Sequence, residues 1–257
     1  SVVGPQNVEG FPLSIPPGLC PLDNPPKGIK VVIDGEDVPC ANVQSDKSWV
    51  SSYRKRNGQW NLYEKSADVE KKLVKRHGLQ GPIDDAFMDT FVMVKPTGKP
   101  MNEKVGKWIE SEYAHAIDHW RKQFRGELKS IDDTDVDEAW AKKANLVLWG
   151  DPQSNKVLAK IADKLPIKWD DSKPHVPVLI YPNPLNPKKY VVLNSGFTFR
   201  EYDYLNNARQ IPRLPDWAIL DITQPPNAET AGKVVPADFF DEQWRVIPRV
   251  KSPEDRE

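Results

Sequence analysis

The stretch NLVLWGDPQSNKVLAKIADKL, residues 145–165, reads as a buried strand, a sharp turn and a helix. The apolar run at 145–149 has the length of a strand, and Gly150, Asp151 and Pro152 break it. Ser154 stands near the start of the helical pattern, where hydroxyl side chains cap free N–H groups. A strand that leads directly into a helix is the repeating unit of parallel sheets, so this segment indicates the α/β class.

Similar strand and helix patterns lie on both sides of this segment. Strands are predicted at 87–95, 189–194 and 217–222, and VPVLIY adds another before a Pro/Asn turn. Apolar residues recur at helical spacing through 101–126, and Gly126 is placed to end that helix. We therefore predict an α/β fold with a mostly parallel, flavodoxin-like or Rossmann-like sheet and helices on both faces.

The N-terminal part has a different pattern. IKVVIDG at 29–35 is a strand that ends in an Asp-Gly turn, and 48–64 places Asn57-Gly58 between two aromatic, alternating arms. Both are hairpin signals, so a small antiparallel β unit is predicted ahead of the sheet. The predicted organisation is a Pro-rich coil or linker at 1–28, the small β unit at 29–80, the α/β domain at 81–247 and a polar tail at 248–257.

The bulk composition excludes some partners. The chain has 257 residues with 36 basic and 37 acidic side chains, which gives a net charge of -1. That balance supplies no field to attract nucleic acid, so no nucleic-acid partner is predicted. No apolar run approaches the roughly 20 residues of a membrane helix, so no membrane span is predicted.

The two cysteines leave two alternatives open. Cys20 and Cys40 are spaced to close one disulfide, and two buried free thiols fit equally well. The chain has no CxxC pair, which argues against a four-cysteine zinc site.

The loops that follow the predicted strands carry the candidate ligand site. In parallel sheets, ligands bind beyond the carboxyl ends of the strands. The candidate ligand-binding residues are Thr97, Gly98, Asp151, Ser154, Asn155, Asn194 and Ser195. The competing interpretation is structural, because Gly, Asp, Ser and Asn are also the residues that tight turns and helix caps require.

Candidates for catalysis are sparse, and the catalytic residues are left unknown. Asp84 and Asp85 in GPIDDAF lie between apolar residues and are interpreted as a structural clamp or as a buried acid. Ser195 follows a strand, but Leu193 stands where a nucleophile elbow has glycine. The sequence contains no Walker loop and no GxGxxG, so no cofactor is predicted.

One histidine pair has the spacing of metal ligands. His115 and His119 lie one helical turn apart, but the run HAIDH lacks the glutamate that zinc hydrolases use as a base. We therefore predict a pair on the helix surface and no metal site.

Four motifs together resemble a known class. They are HGLQGPIDDAFMDTFVMVKPTG (77–98), NLVLWGDPQSN (145–155), YPNPLNPKKYVVLNSGFTFRE (181–201) and LPDWAILDI (214–222). They resemble the C-terminal region of secreted bacterial prolyl-oligopeptidase-like proteins, which are related to α/β-hydrolases. The resemblance spans roughly residues 29–245. It implies an extracytoplasmic location, periplasmic or secreted, and a catalytic hydrolase unit upstream as a partner. It carries no catalytic residue onto this chain, because nothing here matches a serine elbow with its acid and histidine.

Three functions follow as expectations. The first is a non-catalytic accessory or substrate-positioning domain of a secreted hydrolase, which binds a polar small molecule or glycan at the strand-end loops or docks on the catalytic unit. The second is an independent hydrolase of an ester, peptide or glycan that uses Ser195 or the Asp84/Asp85 pair. The third is a structural domain that binds a partner.

Overall fold

The computed structural model describes residues 2–3, 8–22, 31–63, 73–170 and 172–248. The chain divides into two compact units, Ser1–Lys72 and Leu73–Glu257. Parts of the predicted N-terminal coil, residues 64–72 of the predicted β unit, and nearly all of the predicted polar tail lie outside the described residues.

The first unit contains two small sheets. Its strands are β1 (Val2–Val3), β2 (Gly10–Ile15), β3 (Val31–Ile33), β4 (Glu36–Val38), β5 (Trp49–Arg56) and β6 (Gln59–Leu62). One sheet has the order β1-β3-β4, with β1 parallel to β3, and the other has the antiparallel order β2-β5-β6.

Both predicted hairpins are confirmed. The turns at Asp34-Gly35 and Asn57-Gly58 join β3 to β4 and β5 to β6, and all four turn residues have positive φ. Asn, Asp and Gly tolerate that backbone conformation, which is why these pairs signal such turns.

Strand β2 lies where coil was predicted. The Pro-rich composition masked it, but Gly10 pairs with Arg54 and Ile15 with Trp49 along β5. β2 is an edge strand, and a proline such as Pro12 is tolerated there. Cys20 is buried and Cys40 is half-buried, and both are free thiols.

The second unit is built on one seven-stranded sheet. Its strands are β7 (Phe91–Lys95), β8 (Ser130–Asp132), β9 (Asn145–Leu148), β10 (His175–Asn183), β11 (Asn186–Leu193), β12 (Trp217–Asp221) and β13 (Lys233–Asp238). Their order is β13-β12-β10-β11-β9-β7-β8. Strands β8, β7, β9 and β11 are parallel neighbours, whereas β10, β12 and β13 join by antiparallel pairing.

The predicted flavodoxin-like or Rossmann-like sheet with helices on both faces is therefore wrong. The sheet is mixed, and the described structure is mainly β. The physical reason is the tight turn between β10 and β11, where Asn183 pairs with Asn186. A connection that short forces antiparallel pairing, since parallel neighbours need a long crossover. β10 thus separates β12 from the parallel half.

Three α-helices accompany the sheet in the part of the chain that the structure describes. They are α1 (Glu103–Phe124), α2 (Glu138–Lys143) and α3 (Lys156–Ile161). Asn102 caps α1 by accepting hydrogen bonds from the N–H groups of Lys104 and Val105. The predicted end at Gly126 is one residue late, because Arg125 takes the left-handed conformation with φ 59°.

Short 3₁₀ helices join several of these elements, and the first of them takes up Phe87 and Met88 at the start of the predicted strand 87–95. They span Ile83–Met88, Asp133–Asp135, Ala162–Lys164, Glu201–Leu205 and Asn207–Arg209. The core lies between the sheet and these elements, with Val92, Leu146 and Val192 fully buried. On α1, Val105, Trp108 and Ile109 contribute to the same core.

Candidate functional site

The predicted strand-end loops of β7, β9 and β11 meet in the structure. The backbone N–H of Gly98 donates to the carbonyl of Ser154 at 2.8 Å. The Asn194 side chain bonds to both the N–H and the carbonyl of Gly150, at 2.8 and 3.0 Å. The three loops are therefore tied together at the carboxyl ends of adjacent parallel strands.

Five of the seven predicted ligand-binding residues are buried, and four of these hold the loops together by hydrogen bonds. The carboxylate of Asp151 accepts from the N–H groups of Met101, Gln153 and Ser154 at 2.8–2.9 Å. The hydroxyl of Ser154 accepts from the N–H of Asp151. Asp151 is 1% exposed and Ser154 is 3% exposed, so the main role of these polar groups is to clamp the loop.

Asn155 and Asn194 have the same structural role. Asn155 is the N-cap of α3, and its Nδ2 donates to the carbonyl of Trp149. Asn194 also donates to Pro177, which satisfies its amide fully. Four of the seven predicted residues therefore have the structural role of turn and cap residues.

A cleft of about 500 Å³ opens beside these loops. It lies against one side of the N-terminal half of α1 and the ends of β7 and β9. Its lining residues are Lys95, Pro96, Gly98, Pro100, Glu103, Gly106, Lys107, Ile109, Glu110, Tyr113, Gly150 and Ser154. Of the predicted residues, Gly98 and Ser154 line the cleft. Thr97 is exposed next to it and is not part of the lining.

Two of the residues that line the cleft are glycines at positions where a side chain would collide with the protein. A Cβ on Gly98 would lie 2.9–3.1 Å from backbone atoms of Gln153 and Ser154. Gly150 has φ 109°, and a Cβ there would lie 2.6 Å from the Ser154 hydroxyl. The cleft is thus walled partly by bare backbone.

The helix α1 presents charged residues to the cleft. Glu103, Lys107 and Glu110 recur at helical spacing on one side, and Gly106 lies between them. A Cβ on Gly106 would lie 2.5 Å from Pro100, so the absent side chain lets the incoming loop pack against the helix.

The charges at the cleft are balanced and unengaged. Lys95 and Lys107 face the same opening as Glu103 and Glu110, and all four are exposed. Across the described part of the chain, none of the four side chains makes an ion pair or a hydrogen bond within the protein. They are therefore available to a ligand without breaking a native contact.

Tyr113 supplies a fixed aromatic surface at the same cleft. Its hydroxyl is hydrogen bonded to the hydroxyl of Ser130 on β8. Its ring stands edge-on to the ring of Trp149, with centroids 5.6 Å apart. Contacts at both ends of the side chain hold the ring in one orientation.

Ser195 faces a second, smaller cavity of about 130 Å³. Asn194, Glu112 and Arg200 also line that cavity. The Ser195 hydroxyl donates to the neighbouring carbonyl of Gly196 at 2.9 Å. Of the histidine rings within the described ranges, only that of His115 is hydrogen bonded, and its partner is Glu201, so no serine–histidine pair is formed there.

The two predicted acids lie apart from the cleft and bridge distant segments. Asp84 accepts from the N–H and the hydroxyl of Thr198 at 2.9 and 2.5 Å. Burial raises the pKa of Asp84 to about 6. Asp85 accepts from the hydroxyl of Tyr190 at 2.5 Å, and burial followed by this bond raises the pKa of that tyrosine. This geometry is that of a structural clamp.

The histidine pair differs from the surface pair that was predicted. His119 is 3% exposed and packs against the rings of Phe199 and Tyr204. Burial, and then the nearby His115, lower the pKa of His119 to about 4. Within the described residues, no group of three or more potential ligands is placed to hold a metal ion.

The residues of the cleft that sequence reasoning missed lie on α1. Glu103, Lys107, Glu110 and Tyr113 belong to the helix that follows β7, and their spacing on one helix side was the available signal. Charged residues on such a helix usually face solvent, so nothing in the sequence distinguished Glu103, Lys107 and Glu110 from a solvated surface. Tyr113 belongs to the apolar pattern of the helix, which indicated the core.

No helix among the described residues is long and apolar enough to cross a membrane. No protein-family model, curated protein or solved structure matches the chain.

Proposed function

We propose that this chain is a non-catalytic accessory domain of a secreted bacterial hydrolase that binds a polar ligand in the strand-end cleft. One observation carries the proposal. A fixed aromatic ring and four charged side chains that have no partner among the described residues surround a cleft of about 500 Å³ at the carboxyl ends of two adjacent parallel strands. Ligand pockets generally combine this size, this position and a few convergent polar groups.

The setting of the domain rests on sequence resemblance alone. The four motifs that resemble prolyl-oligopeptidase-like proteins support an extracytoplasmic location and a catalytic hydrolase unit as partner. In that setting the cleft would hold part of the substrate while the upstream unit cleaves it.

The hydrogen-bond partners of the candidate nucleophile and acids support a binding function. Ser195 donates to a neighbouring carbonyl, and Asp84 and Asp85 hold Thr198 and Tyr190. An activated serine needs a base within hydrogen-bond reach. A fluorophosphonate probe, which labels activated serines, should therefore leave the chain unlabelled. Labelling at Ser154 or Ser195 would contradict the non-catalytic role and favour an independent hydrolase.

Ligand binding is tested by an NMR titration of the isotope-labelled chain. The probes are neutral oligosaccharides, short zwitterionic peptides and inorganic phosphate, each added separately. We expect one class to shift the amide signals of Gly98, Gly106 and Gly150 more than those of the rest of the chain. If no class shifts them, the cleft is not a ligand site.

A matched pair of substitutions separates the cleft from general charge effects. Lys107→Gln removes a charge that lines the cleft, whereas Lys160→Gln removes an exposed charge on α3 away from it. We expect the first variant to bind the active probe several-fold more weakly and the second to bind it like the unmodified chain. Equal effects of the two would indicate nonspecific binding.

A further inference from the structure

We infer that the ligand of the strand-end cleft is a neutral oligosaccharide. This inference rests on the proposed function and names the class of ligand for that same cleft. It follows from three properties of the residues that line the opening: the signs of their charges, their capacity for hydrogen bonds and their apolar surface.

The balance of charge disfavours an ionic ligand. Lys95 and Lys107 would attract an anion, but Glu103 and Glu110 line the same opening and would repel it. A cation would be attracted by the two glutamates and repelled by the two lysines. A neutral ligand gains hydrogen bonds from all four groups and meets no repulsion.

The four charged groups complement hydroxyls in particular. A lysine ammonium only donates hydrogen bonds, and a glutamate carboxylate only accepts them. A sugar hydroxyl does both, so adjacent hydroxyls on one ring can accept from Lys107 and donate to Glu103 or Glu110. Hydrogen bonds with one charged partner are the stronger kind.

The remaining lining fits the C–H faces of sugar rings. Pro96, Pro100 and the ring of Tyr113 form apolar surface beside the charges. Ser130 and Trp149 hold the Tyr113 ring in place, so stacking on it costs little additional ordering. Gly98, Gly106 and Gly150 also line the opening and add no polar side chain to it.

The length of the cleft suits more than one sugar ring. The lining residues run along α1 from Glu103 to Tyr113, which spans about 15 Å at the usual helical rise. The open cleft is therefore shaped for a short chain rather than for a single enclosed ring.

The experiment compares the three probe classes by isothermal calorimetry and by NMR on the same protein. Neutral tetrasaccharides of β-linked glucose, xylose and N-acetylglucosamine are set against a zwitterionic tetrapeptide and inorganic phosphate. We expect at least one tetrasaccharide to bind and to shift the amides of Gly98, Gly106 and Gly150. Its affinity should change little between about 50 mM and 500 mM salt, because screening does not affect a neutral ligand.

Three variants test the roles of the side chains. Tyr113→Ala should weaken tetrasaccharide binding by about tenfold or more, whereas Tyr113→Phe keeps the ring and should stay within a few-fold of the unmodified chain. Glu110→Gln keeps the shape of an exposed side chain and should weaken binding several-fold. The control is Glu242→Gln, an exposed glutamate that does not line the cleft, which should have no effect.

The outcomes separate the two levels of the proposal. If the peptide or phosphate shifts the cleft amides and no tetrasaccharide does, the oligosaccharide inference is overturned and the ligand-binding function stands. If no probe of any class shifts them, both are overturned. Tetrasaccharide binding that Tyr113→Ala leaves unchanged would also overturn the inference, since the ring would then play no part.

Discussion

The side-chain amide of Asn194 forms two hydrogen bonds to the backbone of Gly150, one to its N–H at 2.8 Å and one to its carbonyl at 3.0 Å. Asn194 follows β11 and Gly150 follows β9, so one side chain joins the ends of two parallel strands. Asn194 has φ 49°, a left-handed conformation that asparagine adopts more readily than most residues.

Removing the Asn194 amide should destabilise the second unit. Asn194→Gly accepts the positive φ, so its effect reports the lost hydrogen bonds together with the greater chain entropy of glycine in the unfolded state. We expect it to lower the free energy of unfolding by about 2–4 kcal/mol, because two buried backbone groups of Gly150 lose their partner. Asn194→Ala should cost roughly 1 kcal/mol more, from the strain of a left-handed alanine. Chemical denaturation measures both, and a glycine variant as stable as the unmodified chain would refute the role of this amide.

A methyl group at Gly98 should distort the cleft. Gly98→Ala places its Cβ against backbone atoms of Gln153 and Ser154, which cannot rotate away. We expect a loss of about 1–3 kcal/mol in the free energy of unfolding together with weaker ligand binding. Gly78→Ala is the control, because a Cβ there meets nothing within 4 Å and its cost comes only from φ 71°. Ligand affinity should change in the first variant and not in the second.

The buried ion pair between Glu112 and Arg200 should be sensitive to the loss of one partner. Arg200 forms two hydrogen bonds with the Glu112 carboxylate, at 2.7 and 3.3 Å, and both side chains are less than 10% exposed. Glu112→Gln leaves the buried guanidinium with only the half-exposed carboxylate of Glu201, 3.9 Å from its Nε, and we expect a cost of about 3–5 kcal/mol. The double variant Glu112→Met/Arg200→Met should cost less than the single one, measured by urea denaturation. The opposite order would show that the pair itself supplies the stability.

Asp84 and His119 should make opposite contributions to the pH dependence of stability. The pKa of Asp84 is raised from 3.8 to about 6, so the folded state holds its proton more tightly and this contribution is lost as the pH rises from about 4 to 6. The pKa of His119 is lowered from 6.5 to about 4, so its contribution is lost as the pH falls from 6.5 to 4. Each amounts to about 3 kcal/mol, and in the unmodified chain they largely offset each other.

Single substitutions should reveal the two slopes. Asp84→Asn removes the titrating carboxyl. The stability of this variant relative to the unmodified chain should therefore increase as the pH rises from 4 to 6. His119→Phe removes the titrating imidazole. The stability of this variant relative to the unmodified chain should therefore increase as the pH falls from 6.5 to 4. Urea denaturation at several pH values measures the difference curves. Asp163→Asn, which makes the same change at an exposed carboxylate on the surface, is the matched control for the buried site.

The sequence predicts the elements better than it predicts their arrangement. The apolar run of β7, the periodicity of α1 and the Asn57-Gly58 turn are local signals, and the structure confirms each of them. The direction of β10 depends on the short turn at Asn183 and on its pairing with a strand far along the chain. The alternation of helices and strands nearby favoured a parallel sheet, and this pattern predicted the direction of β10 wrongly.

The site shows the same division. The meeting of three strand-end loops follows from the rule for parallel strands, and the structure brings together the segments around Gly98, Gly150 and Asn194. Which polar groups stay free depends on the hydrogen bonds each of them makes. The carboxylate of Asp151 accepts hydrogen bonds from three backbone N–H groups, whereas the Lys107 side chain has no partner among the described residues. No sequence pattern distinguishes these two outcomes.

The two halves of the seven-stranded sheet should acquire protection from solvent exchange at different times during refolding. In the antiparallel half Leu179 pairs with Leu193, a short excursion along the chain, whereas in the parallel half Phe91 pairs with Asn145 across the whole of α1. Closing the longer loop costs more chain entropy and slows the pairing. Because the strand-end cleft belongs to the parallel half, it should be among the last features to mature, and pulse-labelled amides at Gly98 and Gly150 should become protected after those of β10 and β11.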